Sequence, residues 1–154
     1  MAVNLEVIVE EVRKGFPELE NVEIGVQYVR GLDAYFETTR NSRYDYSIDV
    51  HRSLKKAKKR VVVGGIAHEF GHILEEVGMG AGMCSFDEFL YNSNFLGYQT
   101  YDERKTDIVV VQRGFGKQLL SFVKWANKRR EKYTEEDGLT AKELKEILSK
   151  LKIK

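Results

Sequence analysis

The chain has 154 residues, 42% of them hydrophobic, which is enough for one ordinary buried core, and we expect a single domain spanning residues 1–154. With 25 basic and 24 acidic residues the formal net charge is +1, so no global electrostatic field favours nucleic acid or an anionic membrane as a partner. The single cysteine, Cys84, excludes an internal disulfide framework, and because no segment resembles a signal peptide or a membrane span, we expect a cytoplasmic protein.

The first third of the chain predicts one helix and three strands. Apolar residues spaced among charged ones over residues 3–14 favour a helix. Apolar and polar residues then alternate in three runs, at residues 22–28, 34–39 and 44–50. Because short turn-forming segments separate these runs, we expect a small antiparallel sheet in which the first two strands pair. If the last run were an exposed edge, it could hold an extended peptide by strand addition.

The remainder of the chain is predicted to be mostly helical. An apolar stretch from Val61 to Leu74 favours a helix that ends at Gly78. The pair Gly64-Gly65 lies inside this stretch. It either breaks the helix or allows another backbone segment to approach closely.

Further helices are predicted downstream. A helix over residues 100–112 is favoured, although the β-branched residues 108–111 could form a strand instead. Another helix is expected at residues 116–132. Thr140 and Glu143 have the spacing of a capping box, which predicts a final amphipathic helix.

The helix from Val61 onward carries an H-E-x-x-H motif, His68-Glu69-Phe70-Gly71-His72, which uses two of the three histidines of the chain. Four-residue spacing places both imidazoles on one face of a helix, where they can share one metal ion. Glu69 then lies beside the metal-bound water. In this composition the motif would arise by accident with a chance of roughly 1% or less. It predicts a zinc site and makes metal-assisted hydrolysis the leading hypothesis.

A catalytic zinc takes three protein ligands and keeps one position for water, so a third ligand is needed. Glu75 and Gly78 stand where the longer H-E-x-x-H-x-x-G-x-x-H motif has glycine and histidine, so that arrangement is excluded. Glu103 and Asp107 lie one turn apart on one face of the predicted helix over residues 100–112. Glu103 is our preferred third ligand, and Asp107 and Asp102 are the alternatives.

With its H-E-x-x-H and a downstream E-x-x-x-D, Glu103 to Asp107, the chain resembles the gluzincin branch of zinc metallopeptidases. The resemblance implies a zincin-like α+β fold in which a small antiparallel sheet packs on the motif helix and the ligand helix. It implies that zinc is bound by His68, His72 and Glu103. Asp107 would bond a metal-bound histidine, a role that also suits the need to fix the imidazole tautomer. Glu69 would be the general base on a zinc-bound water, acting on a peptide or protein substrate.

Two other interpretations remain open at the level of sequence. Zinc could stabilise a non-catalytic regulatory or partner-binding domain, whose third ligand closes the site. Alternatively, the motif is fortuitous and the protein is a helical interaction module that docks through the apolar face of residues 144–151.

Other candidate residues favour structural roles. Three tyrosines could donate to an oxyanion but more often belong to a core, namely Tyr91, Tyr98 and Tyr101. His51 is expected to be structural, and Cys84 a small buried residue. The basic runs at residues 55–60 and 128–130 are balanced by acidic residues and are expected to be solvated helix faces.

Overall fold

The computed structural model describes residues 2–78, 101–129 and 137–151. For Tyr101 and Asp102 it describes the backbone alone. In chain order its elements are α1 (Leu5–Arg13), β1 (Glu23–Val29), β2 (Phe36–Ser42), β3 (Asp45–His51), α2 (Lys59–Glu76), α3 (Tyr101–Val110), α4 (Gly116–Asn127) and α5 (Ala141–Leu151). Short 3-10 helices lie at Pro17–Leu19 and Arg52–Lys56, and a π-helical turn lies at Val111–Phe115. The described part of the chain is α+β, with a small mixed sheet.

The sheet has the strand order β1-β3-β2. β3 pairs in parallel with β1, from Glu23 opposite Asp45 onward, and antiparallel with β2. The prediction of a fully antiparallel sheet is therefore wrong, because β1 runs parallel to its neighbour. The predicted pairing of the first two strands is also wrong, because β3 lies between them. Alternation of polar and apolar residues reports which face of a strand is buried but not which strand lies next to it. The short turn between β2 and β3 makes those two neighbours, and β1 adds to the free side of β3.

β3 takes the central position because its inward face is the most apolar. Tyr46, Ile48 and Val50 are all fully buried, whereas β1 and β2 alternate between exposed and partly covered residues over most of their length. The strand expected at 44–50 is thus interior, so the prediction that it could serve as an open edge is wrong. Among the described strands, β2 and β1 are the edges.

α2 runs through the middle of the core as one unbroken helix of 18 residues. The glycine pair inside it allows close packing and does not break the helix. A Cβ atom at Gly64 would collide with the backbone carbonyl of Gln118 on α4, and one at Gly65 would collide with the ring of Phe36 on β2. Of the two interpretations of this pair, close approach is the correct one.

The other helices follow the sequence patterns with shifted ends. Asn4 caps α1, with its side-chain oxygen accepting from the N–H of Glu6 at 3.0 Å. Residues 108–111 continue α3 into the π-helical turn and do not form a strand. α4 ends at Asn127, earlier than the predicted residue 132. Thr100, at the start of the predicted helix over residues 100–112, lies outside the described residues.

The capping box before α5 is confirmed. The backbone N–H of Thr140 donates to Glu143 Oε1 at 3.1 Å, and the N–H of Glu143 donates to Thr140 Oγ1 at 3.3 Å. None of the described helices has both the length and the apolar character needed to cross a membrane.

Candidate metal centre

The H-E-x-x-H helix and the E-x-x-x-D helix meet at Gly71 on α2. A Cβ atom at this position would lie 2.7 Å from Thr106 Cγ2 on α3, so only glycine lets the two helices approach this closely. The close approach brings His68 and His72 on α2 opposite Glu103 on α3. The two motifs, 30 residues apart in sequence, therefore face each other across one helix contact.

The three predicted ligands come together with their donor atoms converging. His68 Nε2 lies 3.0 Å from Glu103 Oε2 and 3.0 Å from His72 Nε2, and His72 Nε2 lies 3.3 Å from Glu103 Oε2. Ligand atoms about 2.0–2.1 Å from a tetrahedral zinc ion are about 3.3 Å apart. The three atoms, which we call the donor triangle, are thus spaced about as a tetrahedral zinc ion would require, and no further described residue belongs to the group.

Asp107 lies on the other side of the His68 ring. Its Oδ1 is 2.6 Å from His68 Nδ1, and its Oδ2 accepts from the backbone N–H of Leu139 at 2.8 Å. With only 2% of its surface exposed, Asp107 has both oxygens engaged away from the donor triangle. Between the two acidic residues of the E-x-x-x-D motif, the geometry therefore favours Glu103 as ligand and Asp107 as the group that orients His68. The side chain of the alternative Asp102 lies outside the described residues.

The donor triangle has the electrostatics of a cation site. If His68 donates its Nδ1 proton to Asp107, its Nε2 lone pair points to the same spot as those of His72 and Glu103. Burial alone would lower the pKa of His68, but Asp107, and then Glu103, raise it well above its ordinary value. Burial would likewise raise the pKa of Glu103, yet hydrogen bonds from His68 and His72 lower it overall. The cluster is stabilised by a positive charge at its centre, which a proton or a metal ion can supply.

Glu69 is oriented from the sheet. It is 8% exposed, and its Oε2 accepts a hydrogen bond from Thr38 Oγ1 on β2 at 2.5 Å. Thr38 and Phe36 lie on the same face of β2, towards α2. Sequence reasoning missed Thr38, because no local pattern signals which polar residue of a strand faces a carboxylate on a distant helix.

Thr38, Glu69 and the three residues of the donor triangle line a cleft of about 710 Å³ between β2, α2 and α3. β2 and the segment before it form one wall, from Ala34 to Thr38. The described lining contains no lysine or arginine but includes several carboxylates, namely Glu37, Glu69, Glu75, Glu76, Glu103 and Asp137. The cleft is therefore acidic and open to the donor triangle.

No protein-family model matches this chain, and comparisons with curated proteins and with solved structures find no match. The chemistry of the cleft must therefore be inferred from its own residues.

The residues expected to be structural behave as expected where the structure describes them. His51 Nδ1 accepts from the backbone N–H of Ser53 at 3.1 Å and caps the following 3-10 helix. The basic residues of 55–60, and Lys128 and Arg129, are exposed. The face of residues 144–151, considered above as a docking surface, instead contributes Leu144 and Ile147 to the chain's own core. Cys84, Tyr91 and Tyr98, and the side chain of Tyr101, lie outside the described residues.

Proposed function

We propose that this chain is a zinc-dependent metallopeptidase of the gluzincin type, with His68, His72 and Glu103 as zinc ligands and Glu69 as the general base. The observation that carries the proposal is the donor triangle, whose edges of 3.0 to 3.3 Å suit a tetrahedral ion. Two imidazoles and one carboxylate form a ligand set that occurs in catalytic zinc sites. Sites for softer metal ions use the thiolate of cysteine.

When bound, zinc would supply a water acidified toward neutral pH and would polarise the scissile carbonyl. Glu69 lies beside His68 in the same cleft, where its carboxylate can accept a proton from the attacking water and pass it to the leaving amine nitrogen. The hydrogen bond from Thr38 holds one carboxylate oxygen of Glu69, which restricts rotation of the group. The buried Asp107 would accept a hydrogen bond from His68 Nδ1, which leaves the Nε2 lone pair for the metal.

The substrate we propose is an extended peptide that adds to β2. β2 is an edge strand among those described, and its first residues form a wall of the cleft. A peptide that pairs with this edge would pass over the donor triangle with main-chain hydrogen bonds and alternate side chains facing the cleft. The acidic lining supports a preference for peptides with lysine or arginine near the cleaved bond.

The alternative is a non-catalytic zinc domain. A structural zinc site is closed by four protein ligands, whereas the described residues provide three, and these line a cleft of about 710 Å³. Access to the cleft favours the catalytic proposal.

The test compares zinc-loaded wild-type protein with Glu69→Gln on a mixed peptide library. The amide is nearly isosteric but cannot take the proton, so activity should fall about a hundred- to ten-thousand-fold while zinc content and melting temperature stay near wild type. Glu146→Gln, which changes an exposed carboxylate on α5 that does not line the cleft, is the matched control and should retain activity. If wild type cleaves no more than Glu69→Gln, the non-catalytic zinc domain is the better description.

A further inference from the structure

The start of α5 contacts the helix that carries Glu103. We name residues 138–143 the C-terminal clasp. The backbone N–H of Leu139 donates to Asp107 Oδ2 at 2.8 Å, and Arg104 Nη1 donates to the carbonyl oxygen of Gly138 at 2.9 Å. Both bonds join the clasp to α3 next to the donor triangle. The clasp itself supplies none of the three donor atoms.

A buried ion pair strengthens this contact. Arg104 is fully buried and donates from both terminal nitrogens to the carboxylate of Glu143, at 3.1 Å from Nη1 to Oε1. The same carboxylate accepts from the backbone and hydroxyl of Thr140 in the capping box. Glu143 therefore caps α5 and neutralises Arg104 at once, so the start of α5 and the ligand helix are held as one unit.

Gly138 shows how tightly the clasp closes on Asp107. Its φ is +136°, and a Cβ atom there would collide with Asp107 Oδ2. A side chain at this position would have to displace the carboxylate that bonds His68. Only glycine satisfies both the backbone conformation and the space.

We propose that the C-terminal clasp is a positioning device for the metal centre. Its bond from Leu139 fixes one oxygen of Asp107, which leaves the other, 2.6 Å from His68 Nδ1, in a single orientation. The His68 ring and its tautomer are then set by a segment more than 30 residues downstream of Glu103. This inference rests on the proposed role of His68 as a metal ligand, and it makes metal affinity depend on residues that never touch the ion.

The main test compares Gly138→Ala with Gly31→Ala. Gly31 also has a positive φ, +72°, but a Cβ there would meet nothing within 4 Å, so the control has a left-handed backbone strain without displacing a neighbour. We expect Gly138→Ala to weaken zinc binding about ten- to a hundredfold in a chelator competition, and to change the visible spectrum of the cobalt-substituted protein. Gly31→Ala should match wild type in both. Equal zinc affinities and spectra for the two variants would overturn the proposal.

A milder pair covers the case in which Gly138→Ala fails to fold. Thr140→Ala removes the N-cap of α5, and Asn4→Ala removes the N-cap of α1. Each variant therefore loses one N-cap, and the two losses of stability should be similar. Zinc affinity should fall several-fold for Thr140→Ala and stay unchanged for Asn4→Ala, with similar losses of melting temperature in the metal-free proteins. Equal zinc affinities of these two variants would also count against the clasp.

A readout without metal separates this inference from the proposed function. The proton that His68 Nδ1 shares with Asp107 should give a low-field NMR signal in metal-free wild type and in Gly31→Ala, and the signal should be lost or shifted in Gly138→Ala. If wild type binds no zinc, the proposed function fails, and the NMR comparison still decides whether the clasp orients His68. An unchanged signal in Gly138→Ala would overturn the proposal that the clasp orients His68, whether or not the protein binds zinc.

Discussion

Thr38 on β2 donates a 2.5 Å hydrogen bond to Glu69 on α2, so the carboxylate proposed as general base is held by the sheet. The bond links the edge strand proposed to receive substrate with the residue proposed to move the proton. A peptide that binds β2 would therefore lie next to a carboxylate whose orientation the same strand has already restricted.

Replacing Thr38 with valine should reduce turnover and leave the zinc centre intact. Valine has nearly the same shape but cannot donate, so Glu69 would gain rotational freedom while the ligands keep their positions. We expect kcat to fall about tenfold, less than the roughly hundred- to ten-thousand-fold that general-base catalysis contributes, because the base itself remains, with zinc affinity unchanged. Thr38→Ser keeps the hydroxyl and should restore most of the activity. Steady-state kinetics on one cleaved peptide measures kcat for both variants. A serine variant as slow as the valine variant would show that loss of the hydroxyl does not cause the lower kcat.

Glu103 and Asp107 on α3 should differ in their effect on zinc affinity. Wild-type protein should bind about one zinc ion per chain, because the triangle provides three ligands at one place. Glu103→Ala removes a proposed ligand atom, whereas Asp107→Ala removes the group proposed to orient His68, which should cost about ten- to a hundredfold in zinc affinity. Glu103→Ala should therefore show the weaker zinc binding in a chelator titration. The reverse order would identify Asp107 as the ligand.

The acidic lining of the cleft predicts a charge preference in substrates. Glu75 and Glu76 are exposed and line the cleft beyond His72. Changing both to glutamine should lower kcat/KM for lysine- or arginine-containing peptides by about three- to tenfold and leave neutral peptides unaffected. The difference should shrink as salt is raised, since screening acts on exposed charges. Equal loss for cationic and neutral peptides would mean that the two residues act through structure and not charge.

The parts of this protein that could be predicted from sequence are those that depend on local spacing. His68 and His72 share a helix face because they are four residues apart, and the capping box before α5 depends on three residues of separation. The parallel pairing of β1 with β3 could not be predicted, because it depends on which distant strand occupies the free side of β3. Thr38 and Gly138 were missed for the same reason, since each meets its partner through tertiary packing.

A pH-dependent contribution to stability is expected from Glu18 and Arg113. Arg113 on the π-helical turn donates to both oxygens of Glu18 in the 3-10 helix after α1, at 2.7 Å from Nη1 to Oε1. The hydrogen bond from Arg113 lowers the pKa of Glu18 below its ordinary value of 4.5, with burial opposing. A lowered pKa means that the stabilisation is fully present above the unfolded-state value and is lost as pH falls through the folded-state value.

Glu18→Gln should therefore reduce the free energy of unfolding at pH 7 and have a smaller effect near pH 3. Both side chains remain partly exposed, so we expect less than about 1 kcal/mol at pH 7. Urea denaturation of the metal-free protein at the two pH values measures the difference, and removal of metal keeps ligand protonation from adding its own pH dependence. A double-mutant cycle with Arg113→Gln isolates the pair from the other contacts of Arg113, which include the carbonyl of Gly15 at 3.2 Å. A coupling energy that is the same at pH 3 and pH 7 would show that the ionised carboxylate is not its source.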